Sequence, residues 1–197
     1  MAERKPSLSK MTFHPVTPDR WDDLVTLFGE RGACGGCWCM AWRLKRKDWE
    51  AGKGAKNKRA LKKIVTSGGI PGILGYLDDE PIAWCSVAPR SEYSVLERSR
   101  VLKPIDDKPV WSVSCLFVLK PYRRRGVSTR ILKAAIAFAK SRGATILEGY
   151  PVEPTMVKTP DPFVWTGIPS AFLKAGFKEV ARRSKTRPIM RKRMRRK

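Results

Sequence analysis

The sequence is short of acidic residues and of histidine. It has 18 Asp and Glu against 41 Lys and Arg, with a single histidine, and its formal net charge at pH 7 is +23. A positive field of this size attracts polyanions such as phosphate-rich cofactors, nucleic acid or acidic membrane surfaces. Charge alone does not choose among these three.

Long hydrophobic runs are lacking as well. No apolar segment approaches the ~20 residues that a membrane helix needs, and the first ten residues, MAERKPSLSK, lack the apolar stretch of a secretory signal. These two absences predict a soluble, cytoplasmic protein without a membrane partner. The five cysteines, an odd number, then favour reduced thiols over a disulfide framework.

The residues that are present predict a globular protein. Hydrophobic residues make up 42% of the 197 positions and include seven Trp and seven Phe, enough for one domain with a real core. We expect that domain to span residues 11–190. Residues 1–10 are expected to form a basic, mobile N-terminus. The basic tail 191–197, RKRMRRK, has one apolar residue among seven and is expected to be disordered.

Hydrophobic periodicity predicts a mixed arrangement of strands and helices. A strand at TFHPV and a helix at Asp19–Phe28 precede a basic helix within residues 43–63. Three strands then follow in succession, GILGYLDD, EPIAWCSVAP and PVWSVSCLFV, which favours an antiparallel meander. A helix from Val127 and a strand at ATILEGYP come next. Strand, helix and strand in this order imply a parallel pair joined by a right-handed crossover.

Three consecutive arginines, Arg123–Arg125, stand where the third of these strands leads into the helix. Positive charge is unfavourable at a helix N-terminus, so an anionic partner is expected there. The first amides of a helix lack partners, and Gly126 lets the backbone approach a ligand closely. The turn Arg125–Ser128 therefore predicts a phosphate or pyrophosphate site. The alternative is an exposed basic turn, since neither GxGxxG nor GxxxxGK[ST] occurs here.

This stretch, LFVLKPYRRRGVSTRIL, resembles the central motif of the GNAT superfamily of N-acetyltransferases. In that family a strand leads to Arg/Gln-x-x-Gly-x-Gly/Ala at a helix start. Arg123 and Gly126 match this pattern, and Ser128 replaces the usual small residue. GATILEGYPVEP and FLKAGFKEVAR resemble later elements, so the resemblance covers most of residues 72–183. It implies an α/β (α+β) fold with a mixed central sheet, largely antiparallel, whose parallel pair is splayed around the cofactor, and with flanking helices.

The resemblance also implies acetyl-CoA as the acetyl donor, with no metal. Main-chain groups of the strand would pair with the pantetheine arm, one amide would polarise the thioester carbonyl, and the turn would hold the diphosphate. The cofactor-binding residues implied in this way are Leu116, Phe117, Val118, Arg123, Arg124, Arg125, Gly126, Val127, Ser128, Thr129 and Arg130.

Amine attack on a thioester requires removal of a proton from an ammonium of pKa about 10. Glu148 is the preferred base and Glu153 the second choice, acting through a water; either could instead be a simple solvated carboxylate. Family members commonly have a tyrosine four residues before the Gly-Phe turn as the acid, but this chain has Phe172 there. Tyr150, Ser170 or solvent would have to take that role, or the thiolate of a thiol with pKa ~8.5 would leave unaided.

Aromatic residues predict the acceptor pocket, with Trp38, Trp42, Trp84 and Trp165 as candidates for stacking on a cationic or planar molecule. They could equally be core residues. The acceptor could be a protein N-terminus, a lysine, a polyamine or an aminoglycoside-like molecule, and the protein a monomer or a homodimer.

The loop ACGGCWCM carries three cysteines, Cys34, Cys37 and Cys39, in a CxxCxC spacing. Zinc would need a fourth ligand from Cys85, Cys115 or His14. The favoured interpretation has this loop pack Trp38 and Trp42 over the acceptor cleft, with thiol chemistry as a further alternative.

Two other functions remain open at this point. The chain could be a nucleic-acid-binding protein, with weak electrostatic contact through the basic tail, or a GNAT-like protein that binds acetyl-CoA without catalysis. Steeply salt-dependent binding to nucleic acid, without a coenzyme response that depends on Gly126, would distinguish the first.

Overall fold

A computed structural model describes residues 7–154 and 159–195. Its helices are α1 (Trp21–Phe28), α2 (Arg46–Ala51), α3 (Ala55–Thr66), α4 (Ser94–Arg98), α5 (Val127–Ser141) and α6 (Pro169–Lys174). Its strands are β1 (Thr12–Pro15), β2 (Gly72–Leu77), β3 (Glu80–Pro89), β4 (Trp111–Val118), β5 (Ile146–Gly149), β6 (Lys178–Arg182) and β7 (Pro188–Arg193). Of the N-terminal residues 1–10 that were predicted to be mobile, residues 1–6 lie outside the described ranges, as do the last two tail residues, 196 and 197.

The strands form one mixed sheet in the order β1-β2-β3-β4-β5-β7-β6. Neighbouring strands are antiparallel except β4 and β5, which are parallel and joined by α5. This parallel pairing is short, from Trp111↔Leu147 to Val113↔Gly149, whereas β4 continues to Val118. The predicted mixed sheet with one splayed parallel pair is confirmed.

A β-bulge lies on β4 at the point where the two parallel strands part. Ser86 pairs with Cys115 and Val87 pairs with Val113, so Ser114 is an extra residue on β4. A bulge bends its strand and increases the local twist. The second half of β4 therefore diverges from β5 and leaves a gap between the two strands.

Both faces of β4 are covered, which explains its nearly continuous apolar sequence. Leu116 and Val118 belong to the core that includes Ile131 of α5. Cys115 and Phe117 point to the opposite face and pack against the core that includes α1. Alternate residues of one strand thus face α5 on one side of the sheet and the core that includes α1 on the other.

Two predicted boundaries need correction. The basic segment 43–63 forms two helices, α2 and α3, because glycines at positions 52 and 54 interrupt it. The tail prediction was wrong for Arg191–Met194: β7 extends to Arg193, pairs with both β5 and β6, and is followed by the buried Met194. Among the described residues, no helix is both long and apolar enough to cross a membrane.

Candidate active site

A cavity of about 730 Å³ lies beside the divergent half of β4. Its walls come from Cys115–Val118 of β4, from the turn before α5 with the first residues of that helix, from the cysteine loop (residues 33–41) between α1 and α2, and from residues of the segment 161–174. Trp49 of α2 and Lys53 also line it. The first two of these walls contain the residues predicted to bind the cofactor, except Arg125 and Arg130, which are outside the described lining. The third wall contains the cysteines that the sequence singled out.

The turn before α5 has the backbone of an anion-binding site. Gly126 has φ 85°, and a Cβ at this position would meet no atom within 4 Å, so the space in front of the turn is open. Arg124 also has positive φ, at 59°, in a region that is costly for a residue with a side chain. Gly126 caps α5 without a side chain, which leaves the first amides of this 15-residue helix available to an anion.

The arginines of this turn have different neighbours. Arg123 donates from Nε to the Val118 carbonyl at 2.7 Å and from Nη1 to Asp161 Oδ2 at 2.7 Å. Arg124 is exposed and lines the cavity, and the guanidinium of Arg125 lies 5.8 Å from the ring centroid of Tyr122. Among the described lining residues, Asp161 is the single carboxylate. Arg130 is exposed on the first turn of α5, outside the described lining.

Two amides of β4 point away from β3 toward the gap. Leu119 N–H donates to Ile82 O on β3, so strand alternation directs the amides of Leu116 and Val118 to the other side. The Leu116 amide already donates to the Trp165 carbonyl at 2.7 Å. Of these two amides, the one of Leu116 is thus occupied by Trp165, and the one of Val118 is the donor that faces the cavity.

Glu148 lies in a buried ionic cluster. Its side chain is 1% exposed; Arg90 Nη1 donates to its Oε1 at 3.1 Å, and Arg191 Nε donates to its Oε2 at 2.6 Å. Tyr150 Oη donates to the same Oε1 at 2.6 Å, and burial together with the Glu148 charge raises the pKa of Tyr150 well above its usual value. Arg90 also binds the partly exposed Glu97. The two arginines compensate the carboxylate and occupy its oxygens.

This geometry argues against the predicted catalytic roles of these residues. Glu148 and Tyr150 are outside the described cavity wall, and both oxygens of the Glu148 carboxylate are already bound by guanidinium groups of the core. Glu153 is exposed and forms an ion pair with Arg182, again outside the described wall. Sequence patterns place the Glu148 carboxylate on a predicted strand, but they do not show which distant arginines bind it.

The four tryptophans that were predicted to contact the acceptor divide into two groups. Trp165 lines the cavity, and its ring packs against Trp42 at 5.2 Å, which in turn packs against Tyr150 at 5.6 Å. Trp38 and Trp84 are 3% and 0% exposed in the core behind the wall. The expected acceptor contact of Trp38 and Trp84 therefore needs correction, because neither ring is accessible from the cavity.

Phe172 fills a core position instead of reaching the cavity. Its side chain is fully buried, and its ring lies 5.0 Å from that of Phe177. Ser170, one of the predicted substitutes for the missing tyrosine, is exposed and lines the cavity. Tyr122 also lines it and was not predicted, since a lone tyrosine in a basic turn carries no distinctive sequence signal.

Comparison with known proteins agrees with this architecture. Residues 38–154 match the model of the acetyltransferase (GNAT) family. Since this match spans more than half of the chain, the protein belongs to the GNAT acetyltransferase family. No curated protein matches the chain.

Solved structures share the fold at low sequence identity. A GNAT-family acetyltransferase from Streptococcus agalactiae has a TM-score of 0.56 at 12% identity, covering 95% of this chain and 97% of its own. The PaiA N-acetyltransferase from Thermoplasma acidophilum, solved with coenzyme A, has a TM-score of 0.52 at 17% identity, covering 93% and 99%. The aminoglycoside acetyltransferase AAC(6')-Ib, also solved with coenzyme A, has a TM-score of 0.54 at 14% identity, covering 93% and 94%.

Proposed function

We propose that this protein transfers an acetyl group from acetyl-CoA to a primary amine by direct attack in a ternary complex. The observation that supports this most strongly is the turn at Gly126, where open space, unpartnered helix amides and lining arginines converge. That combination suits a diphosphate, which needs many N–H donors and positive charge. Family membership agrees with this chemistry, and acetyl-CoA supplies the activated acetyl group.

Different groups of the protein would bind different parts of acetyl-CoA along the cavity. The amides of Gly126, Val127 and Ser128, with Arg124, would hold the diphosphate at one end. The Val118 amide, which points into the gap, would donate to the thioester carbonyl and stabilise the negative charge that develops on its oxygen. Arg123 fixes this strand end through the Val118 carbonyl. Its second contact, to Asp161, would compete with a phosphate for the same guanidinium.

The acceptor would enter from the side of the cysteine loop and the segment that contains Trp165. Trp165, supported by Trp42, offers an aromatic face for a cationic amine. Asp161 is the described wall carboxylate available to attract that amine or to accept its proton, directly or through water. Small-molecule amines are proposed as acceptors by analogy with the structural neighbour that acts on aminoglycosides; a protein amine fits the same chemistry.

The test compares Gly126→Asp with Gly126→Asn. These side chains have nearly the same shape, Asn tolerates positive φ, and the open space at Gly126 accepts either one. Only Asp places a negative charge where the diphosphate is proposed to bind. We expect Gly126→Asp to weaken acetyl-CoA binding at least tenfold relative to Gly126→Asn, or about 1.4 kcal/mol, measured by calorimetry.

Thermal unfolding supplies the control, because a ligand that binds only the folded state raises the melting temperature. Wild type and Gly126→Asn should both be stabilised by acetyl-CoA, and Gly126→Asp much less. Equal affinity of the two variants would refute the assignment of the diphosphate site. Turnover with a panel of amines, followed by release of the coenzyme thiol, would then identify the acceptor.

A further inference from the structure

The cysteine loop directs a cluster of thiols toward the cavity. Cys34, Cys37 and Cys39 line it from the loop, and Cys115 lines it from β4. Trp38 and Cys39 have positive φ values of 45° and 50°, a strained pair that persists because Trp38 is locked between Trp21 and Phe28 in the core. The loop therefore holds the Cys39 side chain firmly against β4.

Cys39 and Cys115 form a directed pair. Their sulfurs are 3.3 Å apart, and the Cys39 thiol donates its hydrogen bond to Cys115 Sγ. The indole Nε1 of Trp84 donates to Cys39 Sγ at 3.0 Å, so Cys39 accepts on one side and donates on the other. The two hydrogen bonds therefore run in one direction, from Trp84 to Cys39 and from Cys39 to Cys115, which lies at the cavity end of the series.

The neighbouring groups give the two sulfurs different roles. The hydrogen bond to Cys115, followed by burial, raises the pKa of the Cys39 thiol well above its usual value, so Cys39 keeps its proton at neutral pH. Cys115 is half-buried and lines the cavity, where a small molecule can reach it. Arg43 is the nearby positive charge, and it acts on Cys39.

The other cysteines lack this combination of features. Burial raises the pKa of Cys37 to about 11, and burial also raises the pKa of Cys85, which is 0% exposed in the core. Cys34 is exposed. Only Cys39 and Cys115, among the described cysteines, have their sulfurs within hydrogen-bonding distance of each other.

We propose that Cys115 and Cys39 are a reactive dithiol that reduces small disulfides entering the cavity, with Cys115 as the attacking thiol and Cys39 as the resolving thiol. In the first step Cys115 gives its proton to solvent, and its sulfur attacks one sulfur of the disulfide. A mixed disulfide forms on Cys115, the original S–S bond breaks, and one thiolate leaves and takes a proton from water.

In the second step Cys39 gives its proton to solvent and attacks Cys115 Sγ. The Cys39–Cys115 bond forms and the second small thiolate leaves, so two protein thiols are oxidised while one disulfide is reduced to two thiols. Bond formation requires the sulfurs to approach by about 1.2 Å, because a disulfide bond is ~2.05 Å long. The chemistry goes beyond acetyl transfer and does not depend on it.

The experiment treats the full chain carrying Cys34→Ser, which removes the exposed thiol, with hydroxyethyl disulfide. Remaining thiols are alkylated in acid and the peptides are mapped by mass spectrometry. We expect a Cys39–Cys115 crosslink. Adding Cys39→Ser should stop the reaction at a mixed disulfide on Cys115, and adding Cys115→Ser should slow all modification at least tenfold. Cys37→Ser, a matched change in the same wall, should leave the crosslink rate unchanged.

Peptide mapping of the protein that carries only Cys34→Ser decides the question by itself, even if one of the other variants fails to fold. Reduced Cys39 and Cys115 after exhaustive treatment would overturn the proposal. A mixed disulfide on Cys115 that persists although Cys39 is present would also overturn it, since Cys39 would then not be the resolving thiol. Preferential modification of Cys37 would contradict the order of reactivity.

Discussion

Replacing Glu148 with glutamine separates a structural role from a catalytic one. The substitution keeps the side-chain shape but removes the charge that Arg90 and Arg191 share in the core, where the Glu148 side chain is 1% exposed. Breaking a buried ion pair by neutralising one partner costs about 3–5 kcal/mol, because Arg90 and Arg191 then stay buried with only their partly exposed partners, Glu97 and Asp106, to compensate them. For a chain of this size, that loss lowers the melting temperature by about 6–20 °C.

The matched control is Glu97→Gln. Glu97 binds the same Arg90, at 3.0 Å from Nε, but its side chain is 49% exposed. Exposed pairs contribute about 0–1 kcal/mol, so this control should unfold nearly as wild type does. Urea unfolding followed by tryptophan fluorescence gives both free energies.

A Glu148→Gln protein as stable as the Glu97→Gln control would refute the ion-cluster argument. If that stable protein also lost about 10²–10⁴ in kcat while still binding acetyl-CoA, the original prediction of Glu148 as general base would be the correct one. We expect instead that acetyl transfer, compared at temperatures where each variant is fully folded, falls much less than the stability does.

Two further predictions follow from the chain end and from the cysteine wall. Truncation after Met194 should leave the urea midpoint of unfolding unchanged. Truncation after Met190 should abolish cooperative unfolding, because it removes Arg191 and other β7 residues that pair with β5 and β6. Equal stability of the two truncated proteins would show that the second half of β7 is dispensable. The pKa of Cys37 is raised by burial from 9.0 to about 11, so in that pH window the folded protein keeps a proton that the unfolded chain releases. The free energy of unfolding should therefore fall as the pH rises from 9 to 11, and it should fall by about 2–3 kcal/mol more in wild type than in Cys37→Ser. Parallel pH profiles of the two proteins would contradict this.

The sequence predicted the features that depend on local patterns. The run from β4 through Arg123–Gly126 into α5 lies in one continuous stretch, so its apolar strand, turn glycine and amphipathic helix could be read in order. Positive φ at Gly126 and the parallel pairing across α5 follow from that local pattern. The charge of the tail, in contrast, predicted disorder, because composition cannot show that β5 and β6 leave a place between them for β7.

The parts that sequence could not predict depend on contacts between distant segments. Cys39 and Cys115 are 76 residues apart, and Glu148 meets Arg90 from 58 residues away. The CxxCxC spacing suggested metal or thiol chemistry, but only the register of β4 against the loop shows which sulfur lies beside Cys39. Asp161 lies in the cavity wall on a segment with no strong helix or strand pattern, so the sequence did not predict it as a site residue.

Phe172 explains why the tyrosine that the family resemblance implied is missing from this chain. A Cβ on Gly149, the last residue of β5, would lie 2.1 Å from Phe172 Cε1, and one on Gly167 would lie 2.8 Å from Cε2. The ring therefore occupies the volume that two glycines vacate, directly beyond the last β4–β5 pair, Val113↔Gly149. A hydroxyl on this enclosed ring would need a buried partner. Phe172 thus acts as an apolar wedge beside the diverging strands, and in the acetyl transfer that we propose, any acid for the leaving thiolate would have to come from the cavity wall or from solvent.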